Sequence, residues 1–138
     1  MDSHKVTVDE QALIDAAKSV RPNAHAPYSG YLVGAALVDN NGDIFTGCNV
    51  ENAAFPVGTC AEANAIGSMV AAGGKRIVAI AAIGGKDDIE ACTPCGGCRQ
   101  SILEFADSDT RIILMGEGNA IVSYSIDELL PASFRLDN

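Results

Sequence analysis

The sequence contains no tryptophan, and only 5% of its 138 residues are aromatic. Basic residues are also scarce, because nine lysines and arginines stand against 18 aspartates and glutamates, which gives a formal net charge of −9. Tight binding to nucleic acid depends on cations that displace counterions from phosphates, so this balance argues against a nucleic-acid-binding protein. A small neutral or cationic substrate fits the charge better.

Long apolar runs and targeting segments are absent as well. The longest apolar stretches, such as residues 77–83, are too short to cross a bilayer. The first ten residues show no basic start followed by an apolar stretch, so we expect no secretory signal and a cytoplasmic location. No repeat, low-complexity tract or linker divides the chain, and residues 1–138 fit one domain with its own hydrophobic core.

Capping motifs mark the starts of four predicted helices. In a capping box, the N-cap hydroxyl stands three residues ahead of a glutamate that reaches back to the N-cap amide. A proline just after a capping threonine is a second signal of a helix start. The predicted starts are Thr7 with Glu10, Thr59 with Glu62, Thr93 with Pro94, and Ser125 with Glu128.

Four segments have the apolar, β-branched character of strands. Residues 31–38 and 43–50 flank the sequence Asn-Asn-Gly, which is typical of a β-hairpin turn. Between Arg76 and Gly84, residues 77–83 form a continuous apolar run, which predicts a central strand covered on both faces, and residues 111–115 predict another buried strand. With one more strand before the last helix, the order predicts an α/β protein of three layers, α-β-α, around one mixed central sheet of about five strands.

Five cysteines in a chain without a predicted secretory signal indicate metal-binding or catalytic thiols rather than disulfides. Cys95 and Cys98 are three residues apart at a predicted helix start, so their sulfurs lie on one face and can hold a soft metal. Cys92 forms a second, overlapping pair, so the spacing alone leaves the ligands ambiguous. Cys60 lies at another helix start, and two converging starts would present three thiolates and leave one position for water, as catalytic zinc requires.

Glu62 follows Cys60 by two residues and has two interpretations. As the glutamate of a capping box it needs no further role. Beside a bound metal it would instead move protons for the activated water. The cysteines also have alternatives, namely a redox pair or a closed zinc site with Cys92 as the fourth ligand, which would make the protein a non-enzymatic zinc-stabilised module.

Several motifs together resemble the cytidine deaminase family in its short, zinc-dependent, homotetrameric form. The zinc signature of that family is matched by Cys60-Ala61-Glu62 and by Pro94-Cys95-Gly96-Gly97-Cys98-Arg99-Gln100. Further matching strings are Ala26-Pro27-Tyr28-Ser29, Val33-Gly34-Ala35-Ala36, Gly47-Cys48-Asn49-Val50-Glu51-Asn52, and Leu129-Leu130-Pro131 with Phe134. The resemblance covers nearly the whole chain and implies the cytidine deaminase fold.

The resemblance implies hydrolysis of cytidine and 2′-deoxycytidine to uridine and ammonia, a reaction of pyrimidine salvage. It implies a homotetramer that takes a small nucleoside and engages neither nucleic acid nor a membrane. One Zn²⁺ per chain would be held by Cys60, Cys95 and Cys98, with Glu62 as the general acid and base. The substrate contacts that it implies come from Asn49, Glu51, Ala61, Thr93, Tyr31 and Phe134.

One departure from the family pattern bears on both charge and substrate. The small cytidine deaminases usually carry arginine after the catalytic glutamate, where it helps to neutralise the thiolates, whereas this chain has Ala63. Either the zinc-bound water is less acidic here, or Arg99, Arg135 or a cation of a neighbouring subunit replaces the missing arginine. Blasticidin-S deaminases share the cysteine pattern and also lack that arginine, so they are the alternative, although Asn49 and Glu51 favour a ribose-bearing pyrimidine.

Overall fold

A mixed five-stranded sheet lies between two layers of helices in the computed structural model, which describes residues 6–136. Within that range the helices are α1 (Glu10–Val20), α2 (Ala61–Ala71), α3 (Gly96–Glu104) and α4 (Ile126–Leu129), with 3₁₀ turns at Arg21–Asn23, Phe55–Val57 and Glu117–Asn119. The strands are β1 (Leu32–Asp39), β2 (Ile44–Cys48), β3 (Ile77–Gly85), β4 (Arg111–Met115) and β5 (Ile121–Tyr124). The three-layer α-β-α prediction is confirmed.

The strand order is β2-β1-β3-β4-β5, so the continuous apolar strand β3 occupies the centre, as predicted. Strands β3 and β4 are parallel, and the other three neighbouring pairs are antiparallel. The hairpin predicted from the Asn-Asn-Gly turn joins β1 to β2, and Gly42 takes the positive φ of 83° that such a turn requires. The sheet is therefore mixed.

The core is divided between the two faces of the sheet. On one face, Leu13 and Ile14 of α1 pack against residues of β3 that include Ala81. On the other face, α2, α3 and α4 cover the alternate residues of the same strand, Ile80 and Ala82. Because successive side chains of a strand point to opposite faces, a strand covered on both sides needs apolar residues throughout. This explains why β3 shows no polar alternation.

Helix α2 lies unusually close to the end of β2. A Cβ atom on Gly47 would lie 2.5 Å from the backbone nitrogen of Ala65 and 2.6 Å from the carbonyl oxygen of Ala61. Only glycine allows the two backbones to approach this far. The close contact sets the first turn of α2 beside the residues that follow β2.

The starts of α1 and α2 differ from the capping predictions. Asp9 is the N-cap of α1, since its carboxylate accepts a hydrogen bond from the Ala12 amide, so the prediction for Thr7 was wrong. The predicted box of Thr59 and Glu62 was also wrong, because α2 begins after Cys60 and has no side-chain cap. Thr59 and Val50 exchange two backbone hydrogen bonds of 2.9 Å, which hold Thr59 in an extended conformation outside the helix.

Helix α3 starts later than predicted, whereas α4 starts as predicted. Cys95 is the N-cap of α3, because its sulfur accepts a hydrogen bond from the Cys98 amide, so the start predicted at Thr93 and Pro94 was wrong. The capping box of Ser125 and Glu128 is confirmed. In the described part of the chain, no helix combines the length and the hydropathy that a bilayer-spanning segment needs.

Candidate metal centre and active site

Three cysteines from two helix starts converge in one group. Cys60 immediately precedes α2, Cys95 immediately precedes α3, and Cys98 lies in the first turn of α3. Their sulfur atoms all lie within 4.8 Å of one another, and the Sγ atoms of Cys60 and Cys95 are 3.9 Å apart. Ligands about 2.3 Å from a tetrahedral zinc ion lie about 3.8 Å apart, so the spacing fits such an ion.

The pKa values of the three thiols are shifted in different directions by their surroundings. The backbone amide of Cys98, 3.4 Å from Sγ of Cys95, lowers the pKa of the Cys95 thiol. Burial raises the pKa of the Cys60 thiol, and burial together with the Glu62 carboxylate raises the pKa of the Cys98 thiol. Three thiolates at this spacing repel one another, so full ionisation of the group requires a cation. The donor set therefore suits a divalent thiophilic metal.

The group has an open side. Cys98 is buried, whereas Cys60 and Cys95 are exposed residues, so the group borders the surface of the fold on the side of those two residues. A structural zinc site is closed by four protein ligands, whereas a catalytic site has three protein ligands and one position for water or substrate. Within the described residues the group consists of three cysteines, which corresponds to the catalytic type.

Cys92 does not belong to the group, so a closed site of four cysteines is not formed. Its thiol lies beside the hydroxyl of Tyr31, and a Cβ added to Gly84 would lie 3.3 Å from both of those atoms. The Cys92 sulfur is also 3.8 Å from the carbonyl oxygen of Thr93. Burial and this thiol raise the pKa of Tyr31 to about 12. Cys92 is therefore a neighbour of Tyr31 rather than a metal ligand.

Glu62 is buried at the start of α2, with 4% of its surface exposed. It is the second residue of the helix, whereas the glutamate of a capping box is the third, so Glu62 is not placed for that role. Burial raises the pKa of the carboxyl, an effect that its own backbone amide and the neighbouring Cys98 thiol oppose. The carboxyl is thus free of a capping role and lies against the cysteine group.

Asn49 and Glu51 lie just beyond the end of β2, on either side of Val50. The side-chain oxygen of Asn49 accepts a hydrogen bond from the Val33 amide at 2.8 Å, and its Nδ2 donates to the Tyr31 carbonyl at 2.9 Å. The sequence predicted a strand over residues 43–50, which would include Asn49, but β2 ends at Cys48. An amide has two hydrogens and an oxygen with two lone pairs, so Asn49 keeps one donor and one acceptor site for a ligand.

The carboxylate of Glu51 is bound to a loop that precedes β1. Its Oε1 accepts from the backbone amides of Tyr28 at 2.9 Å and of Ser29 at 3.1 Å, and its Oε2 accepts from the Ser29 hydroxyl. These hydrogen bonds, led by that of the Ser29 hydroxyl, lower the pKa of Glu51. A carboxylate has about four lone-pair sites, so Glu51 can accept a further hydrogen bond.

A cleft of about 370 Å³ opens beside Glu51. The rings of Tyr28 and Phe55 meet edge to face there, with centroids 5.7 Å apart and an interplanar angle of 65°. The sequence did not predict this cleft, although Tyr28 lies in a matched motif. The two rings come from segments far apart in the chain, and only the fold joins them. The residues that line the cleft are Tyr28, Ser29, Glu51, Asn52, Phe55 and Gly58.

The remaining predicted substrate residues lie on three segments. Ala61 is the buried first residue of α2, and Thr93 is exposed two residues before the N-cap of α3. Tyr31 is half-buried just before β1. Phe134 lies in the tail with 67% of its surface exposed, and its carbonyl accepts a hydrogen bond of 3.1 Å from Gln100 of α3. The ring of Phe134 does not line the cleft in a single chain.

Arg99 has partners other than the cysteine sulfurs. Its Nε donates to the carbonyl of Pro94 at 2.9 Å, and its Nη1 donates to the carbonyl of Leu129 at 2.6 Å. It thereby ties the turn before Cys95 to the end of α4. Arg135 is exposed in the tail. Among residues 6–136, no arginine or lysine contributes to the pKa shifts of the three thiols. Replacement of the family's arginine by either residue stays a prediction.

Comparisons with known proteins agree with this geometry. Residues 7–115 match the family described as the cytidine and deoxycytidylate deaminase zinc-binding region. A cytidine deaminase of Halalkalibacterium halodurans is 36% identical over 131 residues, which cover 95% of this chain and 98% of the relative. The crystal structure of cytidine deaminase from Burkholderia pseudomallei aligns with a TM-score of 0.83 and 41% identity, covering 92% of this chain and all of that chain. The crystal structure of cytidine deaminase from Mycobacterium tuberculosis aligns with a TM-score of 0.81 and 34% identity, covering 94% of this chain and 100% of that chain.

A three-cysteine metal group at two helix starts, on a mixed sheet between helices, defines the class of protein as a zinc-binding enzyme of the deaminase type. The match over most of the chain then identifies the particular family. The chain belongs to the cytidine and deoxycytidylate deaminase family. The resemblance predicted from the sequence, the fold and the zinc cofactor are thereby confirmed.

Proposed function

We infer that this chain is a cytidine deaminase, which hydrolyses cytidine and 2′-deoxycytidine to the corresponding uridines and ammonia. The observation that carries this inference is the group of three cysteine sulfurs from two helix starts, with the buried Glu62 two residues after Cys60. Family membership and the named relatives support the same reaction. Cys60, Cys95 and Cys98 would hold the zinc ion. A zinc ion with three protein ligands lowers the pKa of water and supplies the nucleophile for hydrolysis.

Glu62 moves the protons of the reaction. It accepts a proton from the attacking water and delivers it to ring nitrogen N3 while the water oxygen bonds to C4 of the pyrimidine. It then transfers the second proton of that water to the amino group as the C4–N bond breaks and ammonia leaves. Uridine keeps the oxygen at C4 and the proton at N3, so atoms and charges balance.

The substrate is held by residues on both sides of the metal group. Asn49 and Glu51 bind the ribose hydroxyls with the hydrogen-bonding sites that β1 and the loop before it leave free. The Ala61 amide, at the start of α2, and the Thr93 carbonyl frame the base. Tyr31, held against Cys92, forms one wall of the base site.

A homotetramer would complete the site, with Phe134 of one subunit closing the pocket of a neighbour. Exposed apolar side chains of the single chain support this assembly, since large exposed apolar groups mark contact surfaces. They include Phe55, Val57, Phe134 and Leu136, each more than 60% exposed. The 138 residues would form one domain. The net charge of −9 supports a nucleoside rather than a nucleic acid as substrate. The reaction would belong to pyrimidine salvage in the cytoplasm.

The test is to incubate the zinc-loaded protein with cytidine and follow the absorbance change and the ammonia released. Glu62→Gln should retain one zinc ion per chain and the fold, because the amide replaces a carboxyl of the same shape. Its turnover should fall by about 10²- to 10⁴-fold, as expected for the loss of a general acid and base. Glu104→Gln, an exposed residue at the end of α3, is the matched control and should retain full turnover. Absence of uridine with the unmodified protein, or normal turnover of Glu62→Gln, would contradict the inference.

A further inference from the structure

The side chain of Asn64, on α2, connects the end of β2 to the residue that precedes Cys60. Its side-chain Nδ2 donates one hydrogen bond to the Cys48 carbonyl at 2.7 Å and another to the Thr59 hydroxyl at 3.1 Å. A primary amide has two hydrogens, so both are used. Cys48 immediately precedes the sugar-side residue Asn49, and Thr59 immediately precedes the metal-side residue Cys60.

Each of these hydrogen bonds acts on the neighbouring site residue through a rigid unit. The carbonyl of Cys48 shares a planar peptide group with the backbone amide of Asn49. The hydrogen bond from Asn64 to that carbonyl therefore also orients the backbone nitrogen of Asn49. Thr59 lies in the extended bridge with Val50, and its hydroxyl is bound by the helix that Cys60 begins. The backbone amide of Asn64 also donates to the Cys60 carbonyl at 3.1 Å.

The close packing of α2 on β2 makes this connection possible. Because Gly47 has no Cβ, the backbone of α2 lies directly against β2, and a side chain as short as that of asparagine can span the distance between them. A short amide on the first turns of α2 then reaches the end of β2. Asn64 is half-buried in this contact.

We propose that Asn64 is a positioning residue that sets the metal side of the site relative to the sugar side. This inference rests on the proposed function, since the sugar side is defined by a ribose-bearing substrate. Asn64 touches neither the metal nor the reacting atoms. It acts through Thr59 on Cys60 and through Cys48 on Asn49.

The test separates the two hydrogen bonds with two variants. Thr59→Val removes only the metal-side acceptor, and it should speed zinc transfer to a chromophoric chelator by roughly three- to tenfold, the range for one net hydrogen bond. Its KM for cytidine should change less than twofold. Asn64→Ala removes both bonds, so it should speed zinc transfer to a similar degree and also raise KM by roughly three- to tenfold.

Two conservative variants distinguish the hydrogen bonds from shape. Thr59→Ser keeps the hydroxyl and should restore the zinc transfer rate of the unmodified protein. Asn64→Asp keeps the shape but has no hydrogens to donate, so it should behave like Asn64→Ala or worse. Ser68→Ala is the control, because it also removes a side-chain hydrogen bond from α2, to the Asn64 carbonyl at 3.2 Å, and it should leave both quantities unchanged.

The outcomes separate this proposal from the proposed function. If Asn64→Ala lowers only the melting temperature and leaves zinc transfer and KM unchanged, the positioning role is overturned. If Asn64→Ala does not fold, Thr59→Val decides the metal-side part, and a normal zinc transfer rate in that variant overturns the proposal. If the unmodified protein releases no ammonia from cytidine, the proposed function fails, whatever the zinc transfer rates show.

Discussion

The hydroxyl of Ser29 donates a hydrogen bond to Oε2 of Glu51, which lies 22 residues further along the chain. Together with the amides of Ser29 and Tyr28, it fixes the carboxylate to the loop before β1. Glu51 therefore faces the cleft in its ionised form. The loop and the segment after β2 form one wall of the proposed sugar site.

Ser29→Ala should weaken substrate binding without affecting the metal. Loss of the hydroxyl removes the largest cause of the lowered pKa of Glu51, so that pKa should move up toward the ordinary value of about 4.3. KM for cytidine should rise by roughly three- to tenfold, with an unchanged zinc content. The pKa of Glu51 can be measured by carbon NMR of the carboxyl group as the pH is varied.

The pH dependence of this contact has a definite sign. The folded-state pKa of Glu51 is depressed by Ser29, by Tyr28 and by the charge of His25. The contact therefore stabilises the loop above the ordinary pKa of glutamate, and this contribution is lost as the pH falls through the folded-state value. Ser108→Ala, in an exposed loop, should leave the titration unchanged. An identical titration of Glu51 in Ser29→Ala would contradict the assigned cause.

Cys92→Ser should retain one zinc ion per chain. The thiol of Cys92 lies beside the Tyr31 hydroxyl and outside the group of three sulfurs, so a serine there removes no ligand. Cys98→Ser should lose most of the bound metal, because a neutral hydroxyl is a poor zinc ligand. Metal analysis of the purified variants after dialysis measures the zinc content of each. Loss of zinc from Cys92→Ser would instead support a site closed by four cysteines.

Alanine substitutions at two glycines, Gly47 of β2 and Gly67 of α2, should change the stability of the protein in opposite directions. Gly47→Ala places a methyl group 2.5 Å from the Ala65 nitrogen, and such overpacking costs about 1–3 kcal/mol of unfolding free energy. Gly67 lies exposed in α2 with open space around its Cβ position, so Gly67→Ala should stabilise the protein by about 0.5–1 kcal/mol.

Urea unfolding of both glycine variants under zinc-saturated conditions checks this pair. The comparison is internal, because both substitutions add the same methyl group. Equal stability of Gly47→Ala and the unmodified protein would mean that α2 and β2 are further apart than described. That result would also remove the basis for the short reach of Asn64.

Local patterns were sufficient to predict most of the fold. The Asn-Asn-Gly turn defines its hairpin through its own backbone preferences, and Ser125 with Glu128 caps α4 through contacts within four residues. The unbroken apolar run of β3 reflects burial on both faces, which in turn implies the central position. The three metal cysteines were recognisable because helix starts and short spacings are local features, although the family resemblance was needed to choose Cys98 over Cys92.

Contacts between distant segments account for what the sequence could not predict. Thr59 has the spacing of a helix cap, but it pairs with Val50 and α2 begins one residue later, with Cys60 as the N-cap. The partners of Asn49 and Glu51 are 16 to 23 residues away in sequence. No periodicity or motif encodes such pairings, because they depend on how the loop before β1 lies on the sheet.

Cys60 and Cys95 lie 35 positions apart in the sequence, and the central strand lies between them. An ion held by both residues closes this long loop and restricts the unfolded chain as a removable cross-link would. Metal binding then favours the folded ensemble by mass action, and a strong chelator acts as a mild denaturant. The supply of zinc in the cell would consequently govern how long each molecule survives proteolysis as well as whether it can turn over substrate.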